Sequence, residues 1–73
     1  MSPTNLNSTS ITAAVYLDKQ AVLEMEFRSG AVYRYFDVPA ATYETFLVVE
    51  SKGAYFNHYI RNRFDYAKVQ REP

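Results

Sequence analysis

The chain has no cysteine and no tryptophan, and its 73 residues include two glycines and one histidine. Without cysteine it can form neither a disulfide framework nor a thiolate metal site. A single histidine, His58, predicts no metal centre, and Gly30 and Gly53 stand too far apart to form a glycine-rich phosphate loop. No apolar run approaches the roughly 20 residues of a membrane-spanning helix, and residues 1–5 lack the basic start of a signal peptide. We therefore predict a cytoplasmic protein with no cofactor, no metal and no membrane contact.

Groups that could carry catalysis are also sparse. None of the five serines lies in a G-x-S-x-G context, and His58 lies off the apolar stripe of its predicted helix, where we expect it to be exposed. Glu24 and Glu26 share one face of a predicted strand, but alternating charged residues are typical of the wet face of an antiparallel sheet. The sequence therefore predicts a protein that is not an enzyme.

Aromatic residues are abundant, with seven tyrosines and five phenylalanines. A chain of this length holds one domain near the lower size limit for folding without a crosslink. Each buried ring removes about 150–250 Å² from water, so we expect rings to supply much of the core. We predict a flexible N-terminal arm over residues 1–9, a single domain over residues 10–67 and a charged C-terminal tail over residues 68–73.

Two segments in the first half alternate with the period of a strand. They run from Ile11 to Leu17 and from Ala21 to Arg28, and a polar turn separates them. A third strand follows and ends at Val38 and Pro39, because proline donates no ladder hydrogen bond and suits the first turn of a helix. These features predict an antiparallel meander.

The turn at Gly30 decides which side chains of the third strand face inward. A two-residue loop would place Arg34 on the apolar face, because a one-residue slip exchanges the two faces of a strand. A three-residue loop with Gly30 in the left-handed region places Tyr33 and Tyr35 on the apolar face. It also sets Glu24 across from Arg34, which is a favourable cross-strand pair. We predict the three-residue loop.

Helical spacing replaces strand spacing after Pro39. Apolar residues at i, i+3 and i+4 predict one helix from Pro39 to about Val49 and a second from about Gly53 to Arg63, with Ser51 as its N-cap. The predicted fold class is α+β, a three-stranded antiparallel β-meander followed by two α-helices packed on one face of the sheet.

Charge and aromatic residues point to the C-terminal third as a binding surface. Residues 1–50 carry three basic and six acidic side chains, a net charge of −3, whereas residues 51–73 carry five basic and two acidic, a net charge of +3. Basic and aromatic residues interleave there, as on surfaces that stack unpaired bases and contact phosphates, although a net charge of zero is low for a nucleic-acid-binding domain. The candidate residues for binding RNA or another anion are Ser51, Lys52, Tyr55, Asn57, Arg61 and Arg63.

Two residue patterns carry a resemblance to a known family. They are Gly30-x-x-Tyr33-x-Tyr35-x-x-Val38-Pro39 and Ser51-x-Gly53-x-Tyr55-Phe56-Asn57-x-x-Ile60-Arg61. Together, over roughly Ser10 to Tyr66, they resemble the KTSC domain, which is named for the C-terminal extension of some lysyl-tRNA synthetases. The resemblance implies a small protein of bacteria or phage, and the link to a synthetase suggests RNA as a ligand. No synthetase catalytic domain is attached here, so aminoacylation is not implied.

Our leading interpretation is a small non-enzymatic binding module that binds RNA or another anion through the face of the second helix. The alternative is a protein–protein interaction module, a bacterial or phage accessory protein, that uses exposed tyrosines or a free sheet edge. A homo-oligomer that covers a sheet edge is a third arrangement that the pattern allows.

Overall fold

The computed structural model describes residues 11–69. The elements follow one another as β1 (Ile11–Leu17), β2 (Val22–Phe27), β3 (Val32–Tyr35), α1 (Ala40–Val48), α2 (Lys52–Tyr59) and β4 (Tyr66–Val69). The strands form one antiparallel sheet in the order β1-β2-β3-β4. The predicted arm over residues 1–9, and residues 70–73 of the predicted tail, lie outside the described residues.

The class is α+β as predicted, but the sheet has four strands rather than three. Residues 68 and 69, predicted to belong to a tail, lie in β4, where Tyr66 pairs with Tyr35 and Val69 pairs with Val32. The Phe36 N–H prolongs this pairing by donating to the Asp65 carbonyl at 2.9 Å. The fourth strand has only four residues and forms because the two helices return the chain to the free side of β3. Its own sequence has no strong strand signal.

The turn between β2 and β3 has the predicted three-residue form. Gly30 has a φ of 95°, and its N–H donates to the Phe27 carbonyl at 2.8 Å. The register pairs Glu24 with Arg34, and their side chains form an ion pair with an N–O distance of 3.0 Å. Arg34 lies on the outer face of β3, so Tyr33 and Tyr35 on either side of it face the helices, as predicted.

Strand β1 departs from strict alternation. Its register with β2 is irregular between Ile11 and Ala13, so Ile11 and Tyr16 both pack toward the core, whereas Val15 is 49% exposed. Strict alternation would place Ile11 and Val15 on one face. The irregularity, which inserts one residue opposite β2, exchanges the faces along the rest of β1.

Both helices pack on the same face of the sheet, which confirms the predicted layers. The core is made of Ile11, Leu23, Met25, Tyr35, Val38, Phe46, Phe56 and Ile60. The Ser51 Oγ caps α2 by accepting a hydrogen bond from the Ala54 N–H at 3.3 Å, as predicted. Helix α2 ends at Tyr59, four residues before the predicted end. Within residues 11–69, neither helix is both long enough and apolar enough to span a membrane.

Candidate ligand-binding cleft

A cleft of about 720 Å³ lies between α2 and the sheet face formed by the ends of β2, β3 and β4. We call it the tyrosine cleft. The sheet contributes aromatic side chains to its lining, namely Phe27, Tyr33, Tyr35 and Tyr66. Helix α2 and its flanking residues contribute polar side chains, namely Ser51, Asn57, Arg61 and Asn62. The helix also contributes Gly53, Ala54 and Phe56. We call the sheet side the aromatic wall and the helix side, which carries the polar groups, the polar wall.

Three of the four rings of the aromatic wall are tyrosines. Tyr33 and Tyr35 lie two residues apart on one strand and so share a face, and the β3–β4 register places Tyr66 opposite Tyr35. The ring centroid of Tyr66 lies 5.6 Å from that of Tyr33 and 5.6 Å from that of Tyr35. Tyr66 is 57% exposed, whereas Tyr35 is 4% exposed. The wall thus runs from an open ring at the mouth of the cleft to a buried ring at its inner end.

The polar wall runs along α2, from Ser51 at the start of the helix to Arg61 and Asn62 just beyond its end. The Arg61 Nη1 donates to the Asn57 Oδ1 at 3.4 Å, across one helical turn of four residues. Both side chains are exposed, and so is Ser51 at the start of the helix. No carboxylate of the described residues lines the cleft, and the guanidinium of Arg61 is the cationic group among the lining residues. The electrostatics of the cleft therefore favour an anionic ligand.

The Tyr35 hydroxyl lies at the inner end of the cleft. Burial raises the pKa of Tyr35 to about 12, with the neighbouring phenols of Tyr33 and Tyr66 acting in the same direction and the Arg61 guanidinium opposing them. The hydroxyl is therefore protonated at neutral pH and is able to donate a hydrogen bond. Among residues 11–69 it has no hydrogen-bond partner.

The structure divides the six predicted ligand-binding residues into two groups. Three line the cleft, namely Ser51, Asn57 and Arg61, and three do not, namely Lys52, Tyr55 and Arg63. The Lys52 Nζ donates to the Val49 carbonyl at 3.2 Å and lies 6.0 Å from the ring centroid of Phe46. Tyr55 and Arg63 both contact the ring of Tyr59, at 4.9 Å and 5.9 Å from its centroid. Of the three predicted basic residues, Arg61 alone lines the cleft.

Several lining residues are absent from the sequence-based prediction. The sequence places Tyr33 and Tyr35 correctly on the inner face of β3, but it leaves open whether they have a role beyond packing, and they are not among the six predicted residues. Tyr66 and Asn62 are also outside the six predicted residues. Tyr66 reaches the cleft through the fourth strand, which the sequence does not predict, whereas Asn62 lies just after α2. The only sequence signal for this half of the cleft is the pair of tyrosines two residues apart, which indicates a shared face but not that the face is partly open.

The fold and the cleft define a small α+β domain with one aromatic, cation-lined cleft on the helix side of its sheet. The chain belongs to the KTSC domain family, whose model matches residues 7–64. Its fold is similar to the crystal structure of a KTSC domain protein from Yersinia pestis, with a TM-score of 0.84, 28% sequence identity and coverage of 92% of this chain and 94% of that one.

Relatives with curated sequences are of two sizes. A lysine–tRNA ligase from Trichormus variabilis is 41% identical over 54 residues, which are 74% of this chain but 10% of the ligase. An uncharacterized protein from Stutzerimonas stutzeri is 42% identical over 52 residues, which are 71% of this chain and 73% of that protein. The chain thus spans about a tenth of the length of the ligase and most of the length of the small relative.

Proposed function

We propose that this KTSC domain is a non-enzymatic binding module that holds single-stranded RNA in the tyrosine cleft. The observation that supports this proposal most is that an exposed ring, Tyr66, and a cation, Arg61, line the same cleft, which no described carboxylate lines. Proteins bind single strands by stacking bases on exposed rings and by contacting phosphates with basic side chains. A volume of about 720 Å³ also falls within the range of small-ligand pockets.

A second cation extends this surface along the sheet. The β3–β4 register places Lys68 opposite Tyr33, and Lys68 lies two residues from Tyr66, so the three side chains share one face of the sheet. Arg61 and Lys68 would then contact successive phosphates, with bases stacked on the rings between them. Lysine–tRNA ligases carry a segment similar to this chain, and their name states that they act on tRNA. RNA is therefore a ligand class that some relatives encounter.

A pair of charge reversals on the same helix region tests this function. In Arg61→Glu, we expect the affinity for a fluorescein-labelled oligouridine to fall by about tenfold or more, because a charge-assisted contact worth roughly 1.5–3 kcal/mol is lost. In Lys52→Glu, which makes the same change of charge outside the cleft, we expect most of the affinity to remain. Fluorescence anisotropy at low salt measures both variants, and thermal melting checks that both are folded. Equal losses in the two variants, or no binding by the unmodified protein, would contradict the proposal.

A protein-interaction module is the second candidate, and the open edges of the sheet favour it. Within the described residues β1 and β4 are the outer strands, and an extended peptide can add to such an edge through main-chain hydrogen bonds. Ionic strength separates the two functions. Affinity that depends on phosphate contacts falls steeply as salt rises, whereas affinity that depends on strand addition changes much less.

A further inference from the structure

The lining of the tyrosine cleft presents hydrogen-bond donors to a ligand. Tyr35 lines the cleft, is 4% exposed and has a hydroxyl that no described residue contacts by a hydrogen bond. The Asn57 Oδ1 already accepts a hydrogen bond from Arg61, so the amide N–H groups of Asn57 remain for a ligand. The guanidinium of Arg61 has donors only. Each of these three side chains therefore has a donor to offer, and a ligand atom that accepts hydrogen bonds is able to use all of them.

The residue that caps α2 adds a further donor to the lining. The Ser51 Oγ accepts the hydrogen bond of the Ala54 N–H at 3.3 Å, so its own proton remains to donate. The Tyr35 hydroxyl has no protein partner among the described residues and faces the cleft, so it is available to donate a hydrogen bond to a ligand.

We propose that the donor set of Tyr35, Asn57 and Arg61 binds one phosphate group of the ligand. The inference rests on the proposed RNA-binding function and names the part of the RNA that occupies the inner end of the cleft. A phosphate offers only acceptor oxygens and is the usual partner of an arginine fork. Most base edges combine donors with acceptors, so they would leave part of this donor set without a partner.

The geometry of the aromatic wall agrees with a nucleotide in this orientation. The ring of Tyr66 at the mouth of the cleft lies 5.6 Å from the ring of Tyr35 at its inner end. A phosphate on the donor set would therefore leave its attached nucleoside beside the exposed Tyr66 ring, where the base can stack. Because Tyr35 is protonated at neutral pH, its hydroxyl would donate to the phosphate rather than repel it.

Removal of a single hydroxyl provides the test. Inorganic phosphate is titrated into ¹⁵N-labelled protein, with sodium chloride at equal ionic strength as the reference and the side-chain amide signals of Asn57 and Asn62 as the readout. We expect saturable shifts with phosphate, and about tenfold weaker phosphate binding in Tyr35→Phe, because one hydrogen bond to a charged group is lost.

Asn57→Ala, an exposed position on α2, is expected to weaken binding as well. Tyr43→Phe is the matched control, since it removes a hydroxyl from a ring that stacks on Tyr16 at 5.0 Å and does not line the cleft.

Phosphate binding that is unchanged in both Tyr35→Phe and Asn57→Ala would overturn the assignment. Acetate that binds as tightly as phosphate would also overturn it, and would indicate a carboxylate site suited to an acidic peptide. Anisotropy with labelled oligouridine, measured in parallel, separates the two levels of the proposal. RNA binding that is insensitive to added phosphate and to Tyr35→Phe would refute the phosphate position and leave the RNA function in place. Saturable phosphate binding without RNA binding would refute the RNA function and support the phosphate position.

Discussion

Phe46→Ala is expected to lower the free energy of unfolding by about 3–5 kcal/mol, the range measured when a buried phenylalanine is truncated. Phe46 is 2% exposed and is the buried residue of α1, so the truncation leaves a cavity between α1 and the sheet. Small domains without disulfides have few kcal/mol of stability to lose. We therefore expect the variant to be largely unfolded at room temperature, as measured by urea denaturation followed by circular dichroism.

The matched control lies two residues further along the same helix. Val48 is 80% exposed, so Val48→Ala is expected to change the free energy of unfolding by no more than about 0.5 kcal/mol. Equal destabilisation by the two truncations would show that α1 does not pack on the sheet through Phe46, and it would contradict the layer arrangement.

Tyr66→Ala is expected to weaken RNA binding by about 1–3 kcal/mol, because stacking of one base on an aromatic side chain contributes that much. Tyr66 is the exposed ring of the aromatic wall, and its truncation removes the stacking platform while the Arg61 cation remains. The affinity for a labelled oligouridine, measured by anisotropy at low salt, reports the loss.

Tyr59→Ala is the control for this second prediction. Tyr59 is exposed to a similar degree, at 53%, and it contacts Tyr55 and Arg63 without lining the cleft. We expect its truncation to leave the affinity nearly unchanged. If Tyr59→Ala weakens binding and Tyr66→Ala does not, RNA binds on the outer surface of α2, and the binding site includes Tyr55 and Arg63 rather than the tyrosine cleft.

The turn between β2 and β3 and the faces of these two strands could be predicted from sequence because local features determine them. The three-residue turn at Gly30 sets the register, and the pairing of Glu24 with Arg34 on the wet face selects that register over the alternative. The cap at Ser51 is also local, since it depends on a side chain and an N–H three residues apart. Such interactions are visible in a short stretch of sequence.

Non-local contacts could not be predicted in the same way. Strand β4 forms because Tyr66 pairs with Tyr35 after the chain has passed through two helices. No pattern in the local sequence predicts that pairing. The prediction of which side of α1 is buried is also only partly correct. The i, i+3, i+4 spacing that predicts this helix belongs to Tyr43, Phe46 and Leu47. Phe46 is buried as that stripe predicts, whereas Leu47 is 48% exposed, so the helix packs on the sheet through a narrower face than the spacing predicts.

Half of the candidate site was missed for the same reason. Ser51, Asn57 and Arg61 form one wall of the cleft and share one stretch of sequence, so their spacing identifies them. The opposite wall is assembled from β3 and β4, and its open ring belongs to the strand that the sequence does not predict. A cleft between two elements can be predicted from sequence only when both elements are themselves predicted.

Chemical-shift mapping tests RNA binding in the tyrosine cleft most directly. In a titration of ¹⁵N-labelled protein with a short single-stranded RNA, we predict that the largest changes occur at Asn57, Arg61, Tyr35 and Tyr66, while the exposed end of α1 near Val48 stays unchanged. Largest changes along β1 or at the end of α1, or no changes at low salt, would contradict the proposal that this cleft holds RNA.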